Sequence, residues 1–211
     1  MSSQAWKAVT DFGDSALLLP CVLLVALWLF ASLRSVRVAA VWLGYCGLAV
    51  AIIALTRLAY MGWHIGIPGV DFTGLSGHTT LSFLVWLVLL FLMLGRSRVS
   101  RVLALAGGII LASLIAVSRI EVHSHSLSEV IGGAVVGISL SAIYLRAHRR
   151  LFPLRLPRSR FLVTLMVPLL LGYGRVMPSE HMLRSVSVAL SGHGWVYTRH
   201  DARELSPPSS Q

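Results

Sequence analysis

Between Ser118 and Glu129 the chain gathers Arg119, Glu121, His123, His125 and Glu129 into one short stretch, with long apolar runs over residues 102–117 and 127–145 on either side. Ionisable groups at the edge of an apolar run are costly, which makes such a cluster a functional-site candidate. His125 and Glu129 are four residues apart, one helical turn, and share a face. A carboxylate bonded to one imidazole nitrogen fixes the tautomer and makes the other nitrogen a better nucleophile. Ser126-Leu127-Ser128-Glu129 is also a capping box, and both roles can hold at once. Arg119 offers a planar fork of donors to phosphate oxygens; its plainer use is as an anchor at lipid headgroups. A second stretch, Leu75-Ser76-Gly77-His78-Thr79-Thr80, opens an earlier apolar run. Gly77 lets the backbone approach an anion, and the free N–H groups of a helix start point toward it. His78 suits general-acid work there, the plainer alternative being a solvated histidine on a capped helix end. Together the two stretches read as a phosphate site. His123 and His125 have no convincing third ligand, so neither a metal nor another cofactor is expected.

These residues must be positioned by membrane helices. The chain of 211 residues is 56% hydrophobic and only 12% charged. Several runs reach the roughly 18–20 residues a spanning helix needs, and no sustained period-2 alternation suggests a barrel. The expected fold is all-α, a polytopic bundle of about six transmembrane helices over 15–33, 38–60, 79–95, 102–118, 127–145 and a short, Pro168-broken run at 161–174. Residues 1–177 form the membrane-embedded unit and 178–211 a polar tail, with Ser206–Gln211 disordered by composition. Residues 1–14 are short and polar, and the run after them is too long for a cleaved signal. Gly132, Gly133 and Gly137 in the fifth run allow close helix packing. Cys21 and Cys46 lie within apolar runs as small core residues.

The net charge of +10 is distributed against a nucleic-acid partner. Arg34 and Arg37 follow the first run; Arg96, Arg98 and Arg101 the third; Arg146, Arg149, Arg150, Arg155, Arg158 and Arg160 the fifth. These alternate loops contain no acidic residue, the pattern of cytoplasmic loops. Two crossings separate His78 from Arg119, so both polar stretches fall on the opposite, non-cytoplasmic face. The partners expected are membrane lipids and a lipid phosphate substrate; the sequence gives no oligomeric state.

Ser76-Gly77-His78 and Ser118-Arg119-x5-His125 resemble two motifs of the type 2 phosphatidic acid phosphatase family, Pro-Ser-Gly-His and Ser-Arg-x5-His-x3-Asp. Leu75 stands where that family has proline, and Glu129 where it has aspartate. The family's first motif, Lys-x6-Arg-Pro, aligns only as Arg57-x6-His64, with no proline following; Arg57 also suits snorkelling at a helix end. The resemblance covers roughly residues 57–144. It implies an integral membrane lipid phosphatase of a bacterial-type cytoplasmic membrane. By that resemblance His125 takes the phosphoryl group as a phosphohistidine, assisted by Glu129, and His78 protonates the leaving oxygen. Arg119, Ser76, Gly77, Arg57 and His64 would hold the phosphate. A lipid phosphotransferase using the same intermediate, or a non-catalytic lipid-phosphate binder with a decayed first motif, are the alternatives.

Overall fold

A computed structural model describes residues 3–67, 70–95, 97–149, 157–192 and 194–199. Within them lie eight helices and no strand: α1 (Ser3–Asp11), α2 (Ser15–Leu33), α3 (Val36–Trp63), α4 (Gly77–Leu94), α5 (Arg98–Glu121), α6 (Leu127–Ala147), α7 (Arg158–Gly172) and α8 (Ser179–Ser191). Five segments are long and apolar enough to cross a membrane: α1–α2 together, α3, α4, α5 and α6, with α7 a shorter apolar helix. Leu55, Val102, Leu103, Val135 and Ile143 are each more than half exposed on the outside of the bundle. A water-soluble protein rarely shows so much aliphatic surface, whereas acyl chains cover it without penalty. The molecule is an integral membrane helical bundle.

Helix starts are written in the sequence. Asp14, Ser76, Ser97 and Ser126 each cap the helix that follows, and α5 and α6 both open with a full capping box. These side chains accept the orphan N–H groups of the first turn. α4 is the central helix, buried along most of its length and packed against α5 and α6. Two glycines set its distance from α6. A Cβ at Gly133 would lie 3.0 Å from Ser76 O, and one at Gly137 only 2.5 Å from Thr80 O. Any side chain at these positions would push the two helices apart, so the packing role expected of them is the one found.

Two helices were not expected. Residues 3–11, read as a polar lead-in, form α1, which packs on α5 with Thr10 Oγ1 2.6 Å from Ser118 Oγ. Part of the polar tail forms α8, which packs on α3. The short run at 161–174 forms α7, lying along α2. Trp28 Nε1 donates to Thr164 Oγ1 at 3.0 Å near its start, Gly172 abuts Ala16 at its end, and Met177 N–H donates to Asp14 Oδ1 at 3.2 Å just beyond. Its 15 residues cover about 22 Å of a hydrocarbon core roughly 30 Å thick, and residues 173–177 complete the path. α7 therefore carries the chain from the end of the bundle that holds Arg34 and Arg37 to the end that holds Asp14. The disorder expected of Ser206–Gln211 lies outside the described residues, as do Arg96, Arg150 and Arg155.

Candidate active site

The start of α2, the end of α3, the start of α4, the end of α5 and the start of α6 all meet at one end of the bundle. Their polar residues face a cavity of about 630 Å³. Arg57, Gly77, His78, Arg119 and His125 line it, together with Asp11 and Asp14, which sequence reasoning left out. The wall running down toward the bundle is aliphatic, with Leu19, Val50, Ile53, Ala54 and Leu81. Over the top lie Met177, Glu180, Met182 and Leu183.

His125 and Glu129 form the tightest pair. Nδ1 of His125 is 2.5 Å from Oε2 of Glu129, and both side chains are buried. The same Oε2 accepts the Ser126 N–H at 3.2 Å, so Glu129 caps α6 and orients the imidazole at once. The other oxygen, Oε1, accepts both the N–H and the hydroxyl of Thr73, at 2.7 and 2.6 Å. On the far side of the ring, Arg57 Nη2 lies 3.1 Å from Nε2. A guanidinium can only donate, so Nε2 carries the lone pair and Nδ1 the proton. That is the tautomer of a nitrogen nucleophile held from behind by a carboxylate. Burial lowers the His125 pKa below the usual imidazole value, outweighing the opposing effect of the hydrogen bond that Nδ1 donates to Glu129. The ring is accordingly neutral at pH 7.

The loop before α4 is pinned to the first turn of α6. Besides the Thr73 bonds, Asp71 O accepts from the Ser126 hydroxyl and, at 2.6 Å, from the Ser128 hydroxyl. Ser76 N–H donates to Glu129 O at 3.2 Å. Leu75, in the place of the family's proline, is buried, and its Cδ2 sits where a Cβ on Gly132 would be. Gly74 takes a positive φ of 132°, and a Cβ there would run into Arg57 Cγ at 2.5 Å, so only glycine lets the loop cross α3.

The structure thus brings His78, His125, Glu129, Arg119, Arg57 and Gly77 together, and leaves two of the expected residues elsewhere. Ser76 is fully buried, and its hydroxyl accepts from Thr79 N and Thr79 Oγ1 at 3.4 and 3.0 Å. It caps α4 and does not line the cavity. His64 caps α3 in the left-handed conformation and stacks on Tyr197, ring centroids 4.8 Å apart, also away from the cavity. His123 is exposed. Arg119 makes no ion pair among the described residues, and its Nε is buried without a partner. A half-buried guanidinium with no carboxylate partner among the described residues suits an anionic ligand.

Three further contacts escaped the sequence. His78 Nε2 lies 3.5 Å from Asp14 Oδ2. Arg199 reaches in from the tail, its Nη2 2.7 Å from Glu129 Oε2 and its Nη1 3.4 Å from Asp71 Oδ2. Thr73 holds Glu129 as described. Tyr197 N–H donates to Met61 O at 2.9 Å, fastening this segment over a smaller cavity of about 330 Å³ that shares Arg57 and Glu180 with the larger one. The one signal for Asp14 was parity: it begins the first span and so belongs to the same face as His78.

The sequence pattern of the PAP2 superfamily matches residues 69–153, the segment that carries Ser76-Gly77-His78, Arg119, His125 and Glu129. The chain is 33% identical over 201 residues to an "Uncharacterized 22.5 kDa protein in cps region" of Klebsiella pneumoniae, covering 93% of this chain and 96% of that protein. No solved structure matches. With two motif histidines and an arginine facing one cavity, and relatedness over nearly its full length, the chain belongs to the PAP2 superfamily.

Proposed function

We propose that this chain is a membrane phosphatase that hydrolyses a lipid phosphate or diphosphate through a phosphohistidine on His125, at the outer face of a cytoplasmic membrane. Membership of the superfamily suggests phosphatase-type activity. The observation that carries the finer reading is the make-up of the large cavity. Two arginines and two histidines occupy one end, and an aliphatic wall leads away into the bundle. An inorganic or sugar phosphate has no use for that wall, whereas a lipid tail does.

The chemistry follows from the geometry. When the substrate phosphate draws the Arg57 donor off Nε2, the freed lone pair of His125 attacks phosphorus while Glu129 holds the Nδ1 proton. The ester P–O bond breaks, and the leaving oxygen takes a proton from His78. Water then attacks the phosphohistidine, the P–N electron pair returns to Nε2, and His78 takes the water's proton. Arg57, at the attacking nitrogen, and Arg119 hold the charge on the equatorial oxygens. The dipole of α4 adds positive character at Gly77 and His78. The outer-face assignment rests on Arg34, Arg37, Arg98, Arg101, Arg146 and Arg149, all at the opposite end of the bundle.

The test is phosphate release by detergent-solubilised protein across phosphatidate, phosphatidylglycerol phosphate, undecaprenyl diphosphate and a lipid A phosphate, with His125→Ala as the blank. Release from at least one lipid, abolished in His125→Ala, is expected. Release from none, or undiminished release by the variant, would refute the proposal.

A further inference from the structure

His78 has a carboxylate of its own. Asp14 closes the corner between α1 and α2 and is 5% exposed. Its Oδ1 accepts two backbone N–H groups, from Ala16 at 2.8 Å and Met177 at 3.2 Å. Its Oδ2 is left 3.5 Å from His78 Nε2, an ion-pair distance rather than a tight hydrogen bond. The corner is built for this approach. A Cβ on Gly13 would lie 2.5 Å from Ile115 Cγ2 and 3.4 Å from His78 Cβ, so no side chain fits between the corner and α4 or α5. Phe12 O, one residue earlier, accepts from Trp86 Nε1 of α4 at 3.1 Å. The other charged groups facing this part of the cavity are Asp11 of α1, Arg57 of α3, Arg119 of α5 and Glu180 of α8. Among the described residues only Asp14 places a carboxylate within ion-pair reach of the His78 ring.

We infer that Asp14 is the positioning residue of the leaving-group acid. It holds the His78 ring with Nε2 toward α2 and stabilises the imidazolium that must exist before a proton can be given up. Nδ1, with no protein partner among the described residues, is the donor to the ester oxygen. As the His125 Nε2–P bond forms, the P–O electron pair passes to the leaving oxygen, which takes the Nδ1 proton. His78 becomes neutral with its remaining proton on Nε2, facing Asp14. When water attacks, its proton returns to Nδ1. Asp14 stays ionised throughout. The site so becomes two histidine–carboxylate pairs of opposite duty, His125–Glu129 for attack and His78–Asp14 for departure.

This inference rests on the phosphoryl-transfer reading above, and the experiment separates the two. Asp14→Asn keeps the helix cap and an acceptor for the two N–H groups but removes the charge. The full-length variant is assayed on a short-chain diacylglycerol phosphate, whose alkoxide leaves only if protonated, and on p-nitrophenyl phosphate, whose phenolate leaves without a proton. A positioned general acid contributes about 10²–10⁴-fold. The lipid-to-aryl ratio of kcat/KM, which reports transfer to His125 and not the hydrolysis step common to both esters, is therefore expected to fall about 30-fold or more in Asp14→Asn, and further in His78→Ala. Equal losses on both esters, or no loss on the lipid ester, would overturn the role of Asp14 and leave the phosphatase reading standing. Natural protein that releases phosphate from neither ester would take down both.

Discussion

Replacing Glu129 by aspartate restores the residue the family motif carries, and under the proposed function it should lower activity. The Glu129 carboxylate is fixed from two sides: Thr73 holds Oε1, while His125, Ser126 and Arg199 surround Oε2. Aspartate is shorter by one C–C bond, about 1.5 Å. A carboxylate pulled back that far takes the 2.5 Å contact with His125 to roughly 3.5–4 Å, outside hydrogen-bond range. It also strands the Thr73 N–H, at a cost of about 1–3 kcal/mol. The loop cannot follow the shorter side chain, because Asp71 O and Ser76 N–H tie it separately to α6. Losing the group that fixes the imidazole tautomer costs up to about 10⁴-fold in a hydrolase triad. A carboxylate that is displaced but still charged should cost on the order of 10²-fold in kcat, about 2.7 kcal/mol of barrier. The assay is phosphate release from a short-chain lipid phosphate in detergent, with kcat and KM resolved and the thermal midpoint recorded alongside. A Glu129→Asp variant as active as the natural protein, or more so, would refute the argument that this backbone is fitted to glutamate.

Three other outcomes are expected. Gly77→Ala should fold normally, since its Cβ meets only Ile53 Cγ2 at 3.6 Å, yet the methyl enters the cavity and should raise KM about tenfold; unchanged KM in a saturation assay contradicts this. Burial lowers the His125 pKa, so the neutral, nucleophilic ring persists to lower pH than free imidazole. Activity should then be lost only as pH falls through that lowered value, placing the acid limb of kcat/KM below about 6.5; a limb at or above that pH is the adverse result. In intact cells a cysteine at Val70, exposed at the site end, should react with an impermeant thiol reagent, while one at Ser97, exposed at the basic end, should not. The buried Cys21 and Cys46 give little background, and the reverse labelling pattern would place the site on the cytoplasmic side.

Much of the site was legible because its parts are local. His125 and Glu129 sit one turn apart, and the capping box that announces α6 also orients the His125 ring. His78 and Arg119 were tied to them by motif order and by the parity of two crossings. Asp14 was not legible as a site residue, because an aspartate before a long apolar run reads as a helix cap, which it is. Its second use arises only where the α1–α2 corner docks on α4 and α5. Arg199 lies seventy positions from Glu129, and nothing in local pattern anticipates that a polar tail folds back over the cavity. His64 shows the converse failure: spacing from Arg57 suggested a partner in the site, but the end of α3 turns left-handed there and swings the ring onto Tyr197. Ser76 has one hydroxyl, and the first turn of α4 uses it.

The direction of α7 has a consequence for biogenesis. The described residues after Gly172 lie at the same end as His125, and α8, over the large cavity, and Tyr197 and Arg199, over the smaller one, take their places only after α7 has been made. Synthesis therefore completes the two histidine motifs while the cavity is still uncovered, and the roof arrives last. A nascent chain halted before α7 would hold the reacting groups of α4, α5 and α6 in place but leave Asp14 without its Met177 contact and Glu129 without Arg199. Completion of the site thus waits on α7, whose 15 residues make it the shortest of the helices that run along the bundle.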